Sequence, residues 1–229
     1  MNFKAYYILA DVLESSKISQ KEDFQSKLEK LCHMINSQYS SDFIMSLRII
    51  QGIKQIAGAM KKIENVYQII SLLEDELHPQ KIRFVLIQGQ LNTSKNQKDI
   101  SNVYGPIISK SQMMMSDLKK TGLIFNLKID NPILANAIKW QMNFIFHIKD
   151  NWSFNKRKVI TEYYRLNNQQ KVAEIIDISQ QAVSKNLSNS YFKYIQLIES
   201  DLIENLKQCT ILEDINIDEE NLTLNKWLK

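Results

Sequence analysis

The stretch "QQAVSKNLSN" (180–189) concentrates side chains that can read a base edge or hold a phosphate. A helix there would expose Gln180, Gln181, Ser184, Lys185, Ser188 and Asn189 together. Glutamine can bond adenine in two places, lysine favours guanine or phosphate, and serine is permissive. Upstream, "NKRK" (155–158) adds Lys156, Arg157 and Lys158, which are expected to hold phosphates and so set register on a duplex. Polar faces are also the default for surface helices, so the spacing of the apolar residues around this stretch matters more than its polarity.

That spacing suits two short helices crossing at a steep angle over a tight turn. Ala173 is small enough to let the second helix approach the first. Ile178 in the turn, and Val183 and Leu187 in the second helix, would close a small core. Ser179 can cap the second helix by accepting from its first free N–H groups. Asp177 occupies the turn position where glycine is commonest, and Asp tolerates the left-handed conformation better than most residues. The motif expected here is a helix-turn-helix, with 180–189 as its recognition helix and double-stranded DNA as its partner. Basic and acidic side chains nearly balance across residues 150–209, so affinity from phosphate neutralisation alone would be modest.

Other reactive residue types form no pattern. His33, His78 and His147 lie in three separate segments without HxH or HExxH spacing, which argues against zinc. Cys32 adjoins His33, but successive helical residues point about 100° apart, so the pair is not a dyad. "QMMM" (112–115) reads as flexible helix-core filler. No glycine-rich phosphate loop is present; "IQGQL" has one glycine. No metal or cofactor is expected.

The elements that must carry these residues fall into two parts. "FKAYYILA" (3–10) reads as a buried strand, and Phe24, Leu28, Leu31 and Ile35 mark a helix. Residues 42–60 read as two strands paired around Gly52. Residues 64–77 are helical, with Val66, Ile69, Ile70, Leu73 and Leu77 on one face and Pro79 as the stop. A strand follows at 81–91, then a polar loop, then a helix over 105–120 with Pro106 in its first turn. A last strand covers 122–129. The order β-α-β-β-α-β-α-β predicts an antiparallel sheet with helices on one face, a ferredoxin-like or palm layer. Beyond the turn at 130–132 the pattern is helical to about Gln208, and an acidic tail closes the chain. The fold class is therefore α+β, with domains at 1–130 and 131–209 and a tail at 210–229.

The chain resembles the SatD family over roughly residues 6–207. The stretches that carry the likeness are "ADVLESSK" (10–17), "IKQIAGAM" (53–60), "RFVLIQGQL" (83–91), "YGPIISKSQMMMSDLKK" (104–120) and, strongest, residues 151–187. The family counterparts of the first three read GDIIGSRK, GDEFQGLL and RFGIGIGEI, and the front half is in turn similar to the palm domain of class III nucleotide cyclases and GGDEF proteins. Palm chemistry needs two carboxylates that hold divalent metals, which bridge triphosphate oxygens during in-line displacement. By this resemblance Asp11 matches the first carboxylate, while the second falls on Lys54 and the adjoining glutamate on Gln55. The glycine and arginine of the first motif fall on Glu14 and Ser16. A lysine beside Asp11 would put a fixed ammonium where a metal would sit. The resemblance implies a pseudoenzyme whose palm-like site, Asp11 with Lys54, is degenerate.

A net charge of +4 permits a nucleic-acid partner without requiring one. Two distant cysteines and no signal-peptide pattern lead to an expectation of a reduced, cytoplasmic chain. The longest apolar run, 133–148, is interrupted by Asn136, Lys139 and Asn143 and falls short of the ~18 residues of a membrane span. The expected function is transcriptional regulation through DNA binding, with the front domain inactive and used to dimerise or to sense. A homodimer would set two recognition helices about one DNA turn apart. The alternative is a protein-interaction or scaffold module whose helix-turn-helix reads no DNA; a nucleotide-binding enzyme is a third, disfavoured by Lys54.

Overall fold

The protein is described by a computed structural model covering residues 2–92 and 99–227, with backbone alone for residues 2, 3 and 210–227. Residues 93–98 of the expected polar loop lie outside the described residues.

Five strands form one sheet: β1 (Asn2–Val12), β2 (Phe43–Gln51), β3 (Gln55–Met60), β4 (Ile82–Asn92) and β5 (Phe125–Lys128), in the order β2-β3-β1-β4-β5. Three helices are interleaved with them: α1 (Lys21–Gln38), α2 (Val66–Leu77) and α3 (Pro106–Thr121). Each forms for a local reason. Leu28, Leu31 and Ile35 recur at helical spacing and are buried in α1. Pro106 opens α3, where its missing N–H costs nothing, and Gly122 ends it in the left-handed region at φ 73°. The turn between β2 and β3 is centred where the sequence placed it, with Gly52 at φ 47°.

Two features of the expected layer are corrected. The sheet is mixed, because β4 and β5 pair in parallel, Phe84 opposite Phe125. A parallel neighbour needs a crossover connection, and α3 supplies it. Nor are the helices all on one face. Successive strand residues point to opposite sides. Ala5, Tyr7 and Leu9 of β1 join Ile107, Met115 and Leu118 of α3 in one cluster. Ile8, Ala10, Phe84 and Leu86 face the other way and are just as buried. The buried residues of α1 and α2 stand outside the α3 cluster. This is why β1 reads as a continuous apolar run rather than an alternating one.

After β5 the chain is helical: α4 (Pro132–Asp150), α5 (Phe154–Leu166), α6 (Gln169–Ile176), α7 (Gln180–Asn189) and α8 (Phe192–Trp227). The backbone of residues 210–227, expected as a tail, continues α8. The chain divides into two compact units. One runs through Lys139 and includes the chain from Ile203 onward; the other is Trp140–Leu202. The division thus falls inside α4 and α8 rather than in the turn at 130–132. No helix among the described residues is long and apolar enough to cross a membrane.

One local strain is measurable. Glu14 sits at φ 50°, ψ 30°, in the left-handed region that disfavours a side chain. Its 2.7 Å ion pair with Lys17 is largely exposed and offsets little. Glu14→Gly is expected to raise stability by about 1 kcal/mol in urea denaturation. A loss of stability would show that the ion pair outweighs the strain.

Candidate nucleic-acid interface and a strand-end carboxylate

In the unit Trp140–Leu202, helices α5, α6 and α7 all begin with a side-chain cap. Ser153 Oγ accepts from the Lys156 N–H at 3.4 Å, Asn168 Oδ1 from the Lys171 N–H at 3.0 Å, and Ser179 Oγ from the Ala182 N–H at 3.1 Å. The chain leaves α5 and α6 through left-handed residues, Asn167 at φ 46° and Asp177 at φ 60°. The N–H of Asp177 donates to Ala173 O, and so does that of Ile178, at 3.0 Å. Asp177 therefore does the work of the glycine usual in such a turn.

Beneath these turns Val159, Ile160, Val172, Ala173, Val183 and Leu187 are buried. Phe192 of α8 receives Tyr163 and Tyr164 edge-on, with ring centroids 5.2 and 4.9 Å away. Val183 and Leu187 are four apart and turn one face of α7 inward. Gln180, Gln181, Ser184, Lys185, Ser188 and Asn189 are all exposed on the other.

The basic run at the start of α5 is placed differently. Lys158 is exposed, but Lys156 and Arg157 are half-buried. The Lys156 ammonium donates to Asn189 O at 3.4 Å, and the Arg157 guanidinium donates to Lys149 O at 2.7 Å. The sequence grouped the three as equivalent cations; in the structure two of them reach main-chain carbonyls of other helices.

In the sheet, Asp11 is the penultimate residue of β1, with 3% of its surface exposed. The pairing register sets it opposite Gln55 on β3 and Arg83 on β4. Gln55 Nε2 donates to Asp11 Oδ1 at 3.0 Å, and Lys119 Nζ lies 3.1 Å from Asp11 Oδ2. Gln112 in turn donates to Gln55 Oε1 at 3.4 Å. The ammonium expected from Lys54 thus comes from Lys119. Directly opposed residues share a face, and the residue opposite Asp11 is Gln55. Lys54 lies in the hairpin turn with its side chain exposed, and its carbonyl accepts from the Val12 N–H at 2.8 Å. The sequence signal missed was the pair Gln112 and Lys119, two turns apart along the face of α3 that lies over Asp11. A divalent metal wants several hard oxygen ligands. One carboxylate already bonded to an amide and an ammonium does not fit that need. Among the described residues no three His, Cys, Asp or Glu side chains come together as a metal-ligand group. The buried Cys32 thiol is pushed up to about 12 by burial and then by Glu29, which keeps it protonated and a poor nucleophile.

A model of the SatD family matches residues 6–206. No curated protein matches the chain. Among solved structures, a bacterial light-regulated adenylyl cyclase is 14% identical with a TM-score of 0.41, covering 56% of this chain and 76% of its own. A second structure described as a bacterial light-regulated adenylyl cyclase is also 14% identical, with a TM-score of 0.42 over 56% of this chain and 43% of its own. A regulator of polyketide synthase expression from Bifidobacterium adolescentis is 7% identical with a TM-score of 0.25, over 93% of this chain and 82% of its own.

Proposed function

The chain belongs to the SatD family, whose model matches residues 6–206, and we propose that it is a DNA-binding transcriptional regulator whose α6–turn–α7 segment is a helix-turn-helix. The observation that carries this reading is α7 itself. It is capped at its start, held by Val183 and Leu187, and presents to solvent six polar side chains of types that can bond base edges or phosphates. The N-terminal end of such a helix enters the major groove. Gln180 and Gln181 stand at that end, with Ser184 and Lys185 one turn on. The unit that carries the sheet would dimerise the protein or sense a signal.

Selection from random duplexes, followed by titration at two salt concentrations, tests the reading. Lys185→Ala is expected to weaken binding. A lost guanine contact costs ~1–3 kcal/mol and relaxes preference at one position; a lost phosphate contact weakens every sequence and lowers the salt slope by about one unit. Gln181→Ala is expected to change sequence preference more than salt dependence, because it removes no charge. A wild-type chain that enriches no sequence and shows no salt-dependent binding would leave the protein-interaction reading in its place.

The palm-like site is proposed to be inactive, supported by the engagement of both Asp11 oxygens with Gln55 and Lys119. Mn²⁺ titration followed by electron paramagnetic resonance is expected to show no binding at Asp11, and ATP and GTP are expected to persist with Mg²⁺. A metal-dependent rate that disappears in Asp11→Ala would make the protein an enzyme.

A further inference from the structure

The cations Lys156, Arg157 and Lys158 stand in the first turns of α5, where no acidic residue accompanies them. That is the unfavourable end of their own helix, because the N-terminus of a helix already carries partial positive charge. Two of the three instead reach the favourable end of other helices. Arg157 donates to Lys149 O at the end of α4, and Lys156 to Asn189 O at the end of α7.

The second contact completes the termination of α7. The last four carbonyls of a helix lack partners within it. In α7 the Ser190 N–H donates to Asn186 O at 3.1 Å, the Ser190 hydroxyl to Leu187 O at 2.7 Å, and the Tyr191 N–H to Ser188 O at 3.2 Å. The fourth, Asn189 O, is met by Lys156. The donor lies 33 residues away in sequence, so this contact forms only once α5 and α7 have packed.

We propose that Lys156 is a positioning residue for α7. Its ammonium holds the carbonyl end of that helix to the first turn of α5, and Lys158 is the residue of the basic run that meets phosphate. The inference rests on α7 being the reading helix, and it refines which cations act directly.

Amide hydrogen exchange in the full chain tests the clasp without DNA. Lys156→Ala is expected to reduce protection about tenfold at the Ser190 and Tyr191 amides, relative to Val183 in the same helix. Lys156→Arg is expected to restore it, and Lys158→Ala to leave it unchanged. Unchanged protection in Lys156→Ala overturns the proposal. On the duplex that the wild-type chain enriches, Lys158→Ala is expected to lower the salt slope by about one unit. Lys156→Ala is expected to weaken binding with the slope preserved. A slope that falls in Lys156→Ala and holds in Lys158→Ala would make Lys156 the phosphate contact and overturn the proposal. If the wild-type chain enriches no duplex, the DNA reading fails, and the exchange result alone decides the clasp.

Discussion

Val183→Asp is expected to destabilise the unit Trp140–Leu202 by several kcal/mol. Val183 has no exposed surface and lies in the small core with Val172, Ala173 and Leu187. A carboxylate there would lose its hydration and gain no cation; Lys156 and Arg157 are already directed to main-chain carbonyls. Burying an unpaired charge is among the few mechanisms that produce losses of this size. Ala173→Glu is expected to act in the same direction, with overpacking added, because Ala173 is 7% exposed where α6 and α7 cross. Urea denaturation followed by tryptophan fluorescence, to which Trp152, buried in the same unit, contributes, reads the change. An unchanged transition in either variant would mean that the position faces solvent and that the register of the two helices is wrong.

Lys119→Met is expected to cost the sheet unit about 3 kcal/mol. It leaves the Asp11 carboxylate, 3% exposed, with the neutral Gln55 as its one remaining side-chain donor among the described residues. Removing one partner of a buried pair costs ~3–5 kcal/mol, and the low end applies because the Lys119 side chain is 44% exposed. The effect belongs to the stranded charge rather than to the lost contact. Asp11→Asn in the Lys119→Met background is therefore expected to recover most of the loss, since an amide can be buried at far lower cost. The double-mutant cycle in urea measures that coupling. A Lys119→Met variant within 0.5 kcal/mol of wild type would mean that the Asp11–Lys119 pair contributes little to stability.

The two experiments probe different kinds of legibility. The α6–α7 segment could be read directly from the chain. Its small residue, turn aspartate, serine cap and two inward apolar residues lie within 15 positions, from Ala173 to Leu187. Over so short a span helical geometry alone decides which side chains turn inward, so the exposed set was foreseen residue by residue. The element order of the sheet unit was legible for a similar reason. Periodicity, the stop at Pro79 and the start at Pro106 are local signals.

What the tertiary structure alone decided was partnership across the chain. Asp11 marks the end of β1 in the sequence, but its cation depends on the register of β3 and on which face α3 covers. Lys54, expected as that cation because the second carboxylate of the palm motif falls on it, is placed in an exposed turn instead. The run Lys156, Arg157 and Lys158 is a uniform basic patch in the sequence, yet carbonyls at the ends of α4 and α7 engage two of its members. The parallel pairing of β5 and the burial of both sheet faces likewise depend on where α3 crosses. Side-chain periodicity is set by bonds within one segment, whereas a charge finds its partner only after separate segments have packed. That is why this chain announced its elements and the exposed face of α7, and left its ion pairs to the fold.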